Sequence, residues 1–142
     1  MLTEELLHGI TEAKHIDEFL QAHEAEMKVA DLKSYLYELM ERAGLTIPQM
    51  IEKASIGRSL AYQIFGGQRT PNRNLIIRMA LVMKLDIKET QRLLRLAERG
   101  ELYPRIQRDA AIIFCLRNRY SLIDTNELLE GLGEAILLKE EV

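Results

Sequence analysis

From Asp31 onward the chain is cut into short segments of helical period, most opened by a capping residue and several closed by glycine, and no stretch alternates for long with the period of a strand. Leu32, Leu36, Leu39, Met40 and Ala43 form one helical stripe, which Gly44 can close in a left-handed cap. Thr46-Ile47-Pro48-Gln49 has the form of a capping box, with Pro48 in the first turn, where a missing N–H costs nothing. That helix ends near Ala54. The turn Ser55-Ile56-Gly57 leads at once into a third helix, Arg58 to Phe65, stopped by Gly66-Gly67. After the loop 68–71, Asn72 caps a helix running to about Lys84. Asp86, with Glu89 three residues on, opens another to about Arg99. Two more are expected at about 104–119 and 122–138, with Ser121 between them.

The first 30 residues read as one or two short helices. Leu6, Leu7 and Ile10 group together, Ile16, Phe19, Leu20 and His23 follow helical steps, and Gly9 with Thr11 is the expected break. The expected class is therefore all-α, with short connections and no internal repeat. Leu75 to Met83 is apolar at eight of nine positions, too many for a helix with one face in water, so another element must cover its second side. The apolar run Ala110 to Leu116 implies a second buried helix. The simplest account packs the terminal helices over the middle of the chain, and a homodimer interface is the alternative cover.

A net charge of −3 hides a gradient. Residues 1–30 carry seven acids and two bases, residues 31–108 eight acids and fourteen bases, and residues 109–142 seven acids and three bases. A net of +6 between acidic ends points to a local partner of the middle segment. Arg73 and Arg78 read as surface bases or as partners of the acidic flanks.

Catalytic and metal chemistry find no support in the residue pattern. His15 and His23 lie eight residues apart, two turns rather than the adjacent turn of a metal pair, and His8 stands apart from both. Cys115 sits in an apolar run, where an inert buried thiol is expected. Gly66-Gly67 end a helix instead of opening one, so no phosphate-cradling loop is present. No enzyme, cofactor or metal site is expected. The acidic N-terminus is unlike a signal peptide and no apolar run is long enough for a membrane helix, so the expectation is a cytoplasmic protein without a membrane partner.

A short capped helix, a tight turn and a second short helix form a helix-turn-helix arrangement, which presents the start of its second helix to the DNA major groove. Met50, Ile51, Ala54, Ile56, Ala61 and Ile64 suit the inner angle, and Arg58, Ser59, Tyr62 and Gln63 are left pointing out. Residues 45–85, LTIPQMIEKASIGRSLAYQIFGGQRTPNRNLIIRMALVMKL, resemble the phage-repressor-type (Cro/C1, or Xre) helix-turn-helix family without gaps. The resemblance rests on the Leu-Thr helix start, Glu-Lys-Ala before the turn, Arg-Ser opening the second helix, and then Ile64, Gly67, Arg69 and Pro71. It implies a five-helix repressor-like core with additional flanking helices packed on it: a DNA-binding domain at 31–99 between extensions at 1–30 and 100–142. LYPRIQRDAAIIF and NELLEGLG resemble extensions of some bacterial members.

By the same resemblance Arg58, Ser59, Tyr62 and Gln63 face base edges, while Thr46, Gln49, Gln68, Arg69 and Thr70 meet phosphates. Three positions depart from the family: Ile47 stands where Gln is frequent, Phe65 where a polar residue is usual, and Gly57 where Ser or Thr often caps the second helix. The implied function is a sequence-specific regulator of transcription that binds double-stranded DNA as a homodimer. The alternative, favoured by Ile47 and by the net acidity, is a protein–protein interaction module, an adaptor or antitoxin-like partner that keeps the fold without sequence-specific DNA binding.

Overall fold

Capping residues start most of the helices. The structure, a computed structural model, describes residues 3–22 and 31–138. All regular elements among them are helices: α1 (Thr3–Glu12), α2 (Ile16–Ala22), α3 (Leu32–Ala43), α4 (Ile47–Ala54), α5 (Arg58–Phe65), α6 (Arg73–Met83), α7 (Ile87–Leu96), α8 (Gln107–Arg117) and α9 (Leu122–Gly131). Asp31, Thr46, Asn72, Asp86 and Ser121 each accept a backbone N–H in the first turn of the helix that follows. Thr46 with Gln49, and Asp86 with Glu89, complete reciprocal capping boxes. Gly44 closes α3 at φ 71°, a conformation that carries little penalty without a Cβ.

The apolar helix α6 lies in the centre. Leu75 to Leu81 are all buried, and α3, α4, α7, α8 and α9 pack around the helix. This answers the need for cover on its second side, since α8 and α9 supply it from within the chain. The C-terminal helices are also tied by polar clamps. Arg73 grips the buried carboxylate of Asp109 at 2.9 and 3.2 Å and donates to the carbonyls of Gly100 and Glu101. Arg108 donates to Asn74 and to the carbonyl of Ala135. Burial and the nearby Arg73 lower its pKa from the usual guanidinium range.

Several expectations change here. Arg73 is a partner of the acidic C-terminal flank, but Arg78 is no surface base. It is 1% exposed and lies under the strap that follows α9. Gly9 and Thr11 do not separate two helices, because α1 runs through both and the break falls at 13–15. A Cβ on Gly9 would stand 2.7 Å from the Phe19 ring, so the bare glycine permits close packing of α1 on α2. Phe19 is buried but lies outside the main core, and His23 is outside the described residues. The last helix ends at Gly131, not 138. Gly133 turns left-handed at φ 75°, and the N–H of Glu134 returns to the carbonyl of Leu129. The run Ala110 to Leu116 is buried on one side only, with Phe114 exposed and edge-on to Tyr120. Among the described residues no helix is long and apolar enough to cross a membrane.

Candidate nucleic-acid interface

Two eight-residue helices, α4 and α5, meet across the turn Ser55-Ile56-Gly57. Ser55 takes the left-handed conformation at φ 55°, and the N–H of Ile56 closes α4 on the carbonyl of Ile51 at 3.0 Å. Met50, Ala54, Ile56, Ala61 and Ile64 are buried in the core, with Ile51 half-buried against it. Phe65 is also buried, edge-on to Tyr37, which explains the aromatic residue at this position. Ile47 is half-buried against the core, so it serves packing and not a polar contact.

Arg58, Ser59 and Tyr62 remain on the open side of α5, all exposed. The Arg58 guanidinium lies 5.8 Å from the centre of the Tyr62 ring, a cation–π distance that holds the side chain along the helix. Gly57 supplies no side-chain cap, so the N–H groups of the first turn of α5 stay open to an external acceptor.

Gln63 differs from its three neighbours. It is half-buried, and its Oε1 accepts a long hydrogen bond, 3.4 Å, from Arg69. Its backbone carbonyl also accepts the N–H groups of Gln68 and Arg69, so the loop after α5 is folded back on the helix. Gln68, Arg69 and Thr70 are exposed along that loop.

Thr46 and Gln49 are exposed at the start of α4, but their first task is internal. The Gln49 N–H donates to the Thr46 hydroxyl at 3.3 Å, and the Thr46 N–H donates to Gln49 Oε1 at 2.9 Å. The Gln49 amide nitrogen and the Thr46 hydroxyl proton are the donors left over. The structure thus brings Arg58, Ser59, Tyr62, Gln63, Gln68, Arg69 and Thr70 onto one helix and its loop, with Gln49 on the preceding helix and Thr46 at its N-cap.

Sequence reasoning missed Lys33. Its side chain lies against the loop, with Cδ 3.3 Å from the place a Cβ on Gly67 would occupy. Gly67 has φ 80°, so a side chain there would meet backbone strain and Lys33 together. No local signal marks Lys33, because the neighbour it meets lies far along the chain.

Elsewhere, His8 and His15 are exposed, and no cluster of metal-ligating side chains occurs among the described residues. Cys115 is fully buried, and burial pushes its thiol pKa up, away from the reactive thiolate. No protein-family model, curated protein or solved structure matches the chain.

Proposed function

We propose that the chain is a sequence-specific DNA-binding regulator of the phage-repressor (Cro/C1, Xre) type. In this reading α3 to α7 form the five-helix core, α4 and α5 form the helix-turn-helix, and the protein acts in the cytoplasm on a two-half-site operator. The observation that carries the proposal is the open side of α5: Arg58, Ser59 and Tyr62 exposed at the uncapped start of a short helix whose opposite side is anchored in the core.

Such a helix enters the major groove with its first turn towards the bases. Arg58 pairs with the two acceptors of a guanine, a contact that discriminates by about 1–3 kcal/mol. Ser59 and Tyr62 lie beside it. Gln63 reaches a base only by releasing its long hydrogen bond to Arg69, so it contributes less than its position on the helix suggests. Gln68, Arg69 and Thr70, with Thr46 and the free amide nitrogen of Gln49, follow the phosphates and set register without choosing sequence. The reading assigns the chain no catalytic step and no cofactor.

A homodimer would join two such units. Ile106, Ala110 and Phe114 recur at four-residue steps and are all exposed. This is the apolar face offered to a second copy, and in the rival interaction-module reading it would receive a partner protein instead.

Selection from a random duplex library tests the proposal. The wild-type chain is expected to enrich one motif, Arg58→Ala to change that motif, and Arg69→Ala to weaken binding with the motif kept. Log affinity should fall linearly with log salt, in proportion to the phosphates neutralised. Failure of the wild type to enrich any sequence would remove the proposal and leave the interaction-module reading.

A further inference from the structure

Arg78 leads the described residues in volume among fully buried side chains, in the middle of α6, and the base and phosphate contacts proposed above make no use of it. A guanidinium in a core carries a large desolvation cost unless its N–H groups find acceptors. Its Nε donates to the carbonyl of Ala54 at 2.9 Å, and its Nη1 donates to the carbonyl of Leu138. Ala54 is the last residue of α4, where helix geometry leaves carbonyls without an intrahelical partner and the helix dipole favours a cation. The next residue is Ser55, already in the left-handed turn towards α5.

Leu138 belongs to the strap 134–138. The N–H of Leu137 donates to the Asn126 side chain at 2.7 Å, Arg108 holds the carbonyl of Ala135 at 2.8 Å, and the Leu137 side chain is 2% exposed. One planar side chain therefore grips the turn in front of α5 with one N–H and the C-terminal strap with another.

We infer that Arg78 is a positioning residue that couples the α4–α5 turn to the docked strap 134–138, so that undocking the strap loosens α5 and weakens duplex binding. When the strap leaves, the guanidinium loses an acceptor inside a dry site and must turn towards water, drawing Nε away from Ala54. The carbonyl at the end of α4 is then unsatisfied. Coupling of this kind is reciprocal: a duplex that fixes α5 also holds the strap down. Only the duplex clauses rest on the proposed function. The link between strap and turn does not.

Amide hydrogen exchange on the full-length chain tests it. Leu137→Ala is expected to speed exchange at Ile56 and Ala61 by about tenfold, with the α7 amides of Leu93 and Leu94 unchanged. Asn126→Ala, which removes only the acceptor of the Leu137 N–H, should do the same to a smaller degree, so the result does not hang on one core residue. In an Arg78→Lys background Leu137→Ala should add nothing further at Ile56, because the fork joining the two segments is already gone. Faster exchange in the strap with Ile56 and Ala61 unmoved would overturn the inference, and so would an equal rise throughout α7. Duplex affinity is measured separately, with a loss of about fivefold expected for Leu137→Ala. A wild-type chain with no duplex affinity would sink the functional reading alone, and the exchange result would still decide the coupling.

Discussion

Two sets of arginines have opposite fates. Arg58 and Arg69 extend over the open side of α5 and its loop. Arg73, Arg78, Arg99 and Arg108 turn to internal acceptors: Asp109, the carbonyls of Ala54 and Leu138, the carbonyl of Pro71, and Asn74 with Ala135. Others in the middle segment are also engaged, with Arg42 on Glu89 at 2.5 Å and Arg92 stacked 4.4 Å from the Tyr35 ring centre. The net of +6 counted along residues 31–108 therefore overstates the field offered to a ligand. What faces outward at α5 and its loop is a smaller set, Arg58 and Arg69 with Lys33 beside Gly67. Cationic residue type does not tell the inward group from the outward one; the acceptors within reach do.

The largest expected effect lies on the inward side. Arg73→Ala leaves the Asp109 carboxylate, 3% exposed, with only the Tyr103 N–H among its present donors. Removing one partner of a buried pair costs about 3 kcal/mol, to be read from the midpoint of urea unfolding, and the double variant Arg73→Ala with Asp109→Asn should recover part of the loss. Unchanged stability in the single variant would mean that Arg73 is no more a structural arginine than Arg58 is.

An intermediate effect belongs to the cap of α4. Thr46→Ala removes one half of the capping box and should cost about 1 kcal/mol, a loss seen in thermal unfolding without any duplex present. If the variant weakens duplex binding beyond that loss, Thr46 also touches phosphate.

The smallest stability effect is expected at Arg58 and Arg69. Each is exposed, and alanine at either position should shift unfolding by no more than about 0.5 kcal/mol. A larger shift would show that the contacts to Tyr62 and Gln63 hold the fold, and the contrast with Arg73 would fail.

Local signals were readable in the chain and long-range ones were not. The caps at Thr46, Asn72 and Asp86 depend on residues three apart, so their helix starts follow from the sequence itself. The open side of α5 follows by elimination, once Ala61 and Ile64 are assigned to the inner angle. Arg78 could not be placed this way, because its acceptors lie 24 and 60 residues away. The pairing of Arg73 with Asp109 was foreseeable only as one of two options. The end of α9 was obscured by the apolar residues Ile136, Leu137 and Leu138, which continue the hydrophobic signal past the turn at Gly133 and into the strap. At the site, the half-burial of Gln63 and the approach of Lys33 both depend on how the loop after α5 folds back, which no spacing rule records.

Whether the open side of α5 reads DNA, as proposed, is decided by following backbone amide shifts as a duplex carrying the selected motif is added. Saturable shifts are expected, concentrated at Arg58 to Gln63 and Gln68 to Thr70, with Ile106 to Phe114 on the outer side of α8 unmoved at constant oligomeric state. Shifts confined to α8, or none at a duplex concentration that saturates a control repressor, would contradict it.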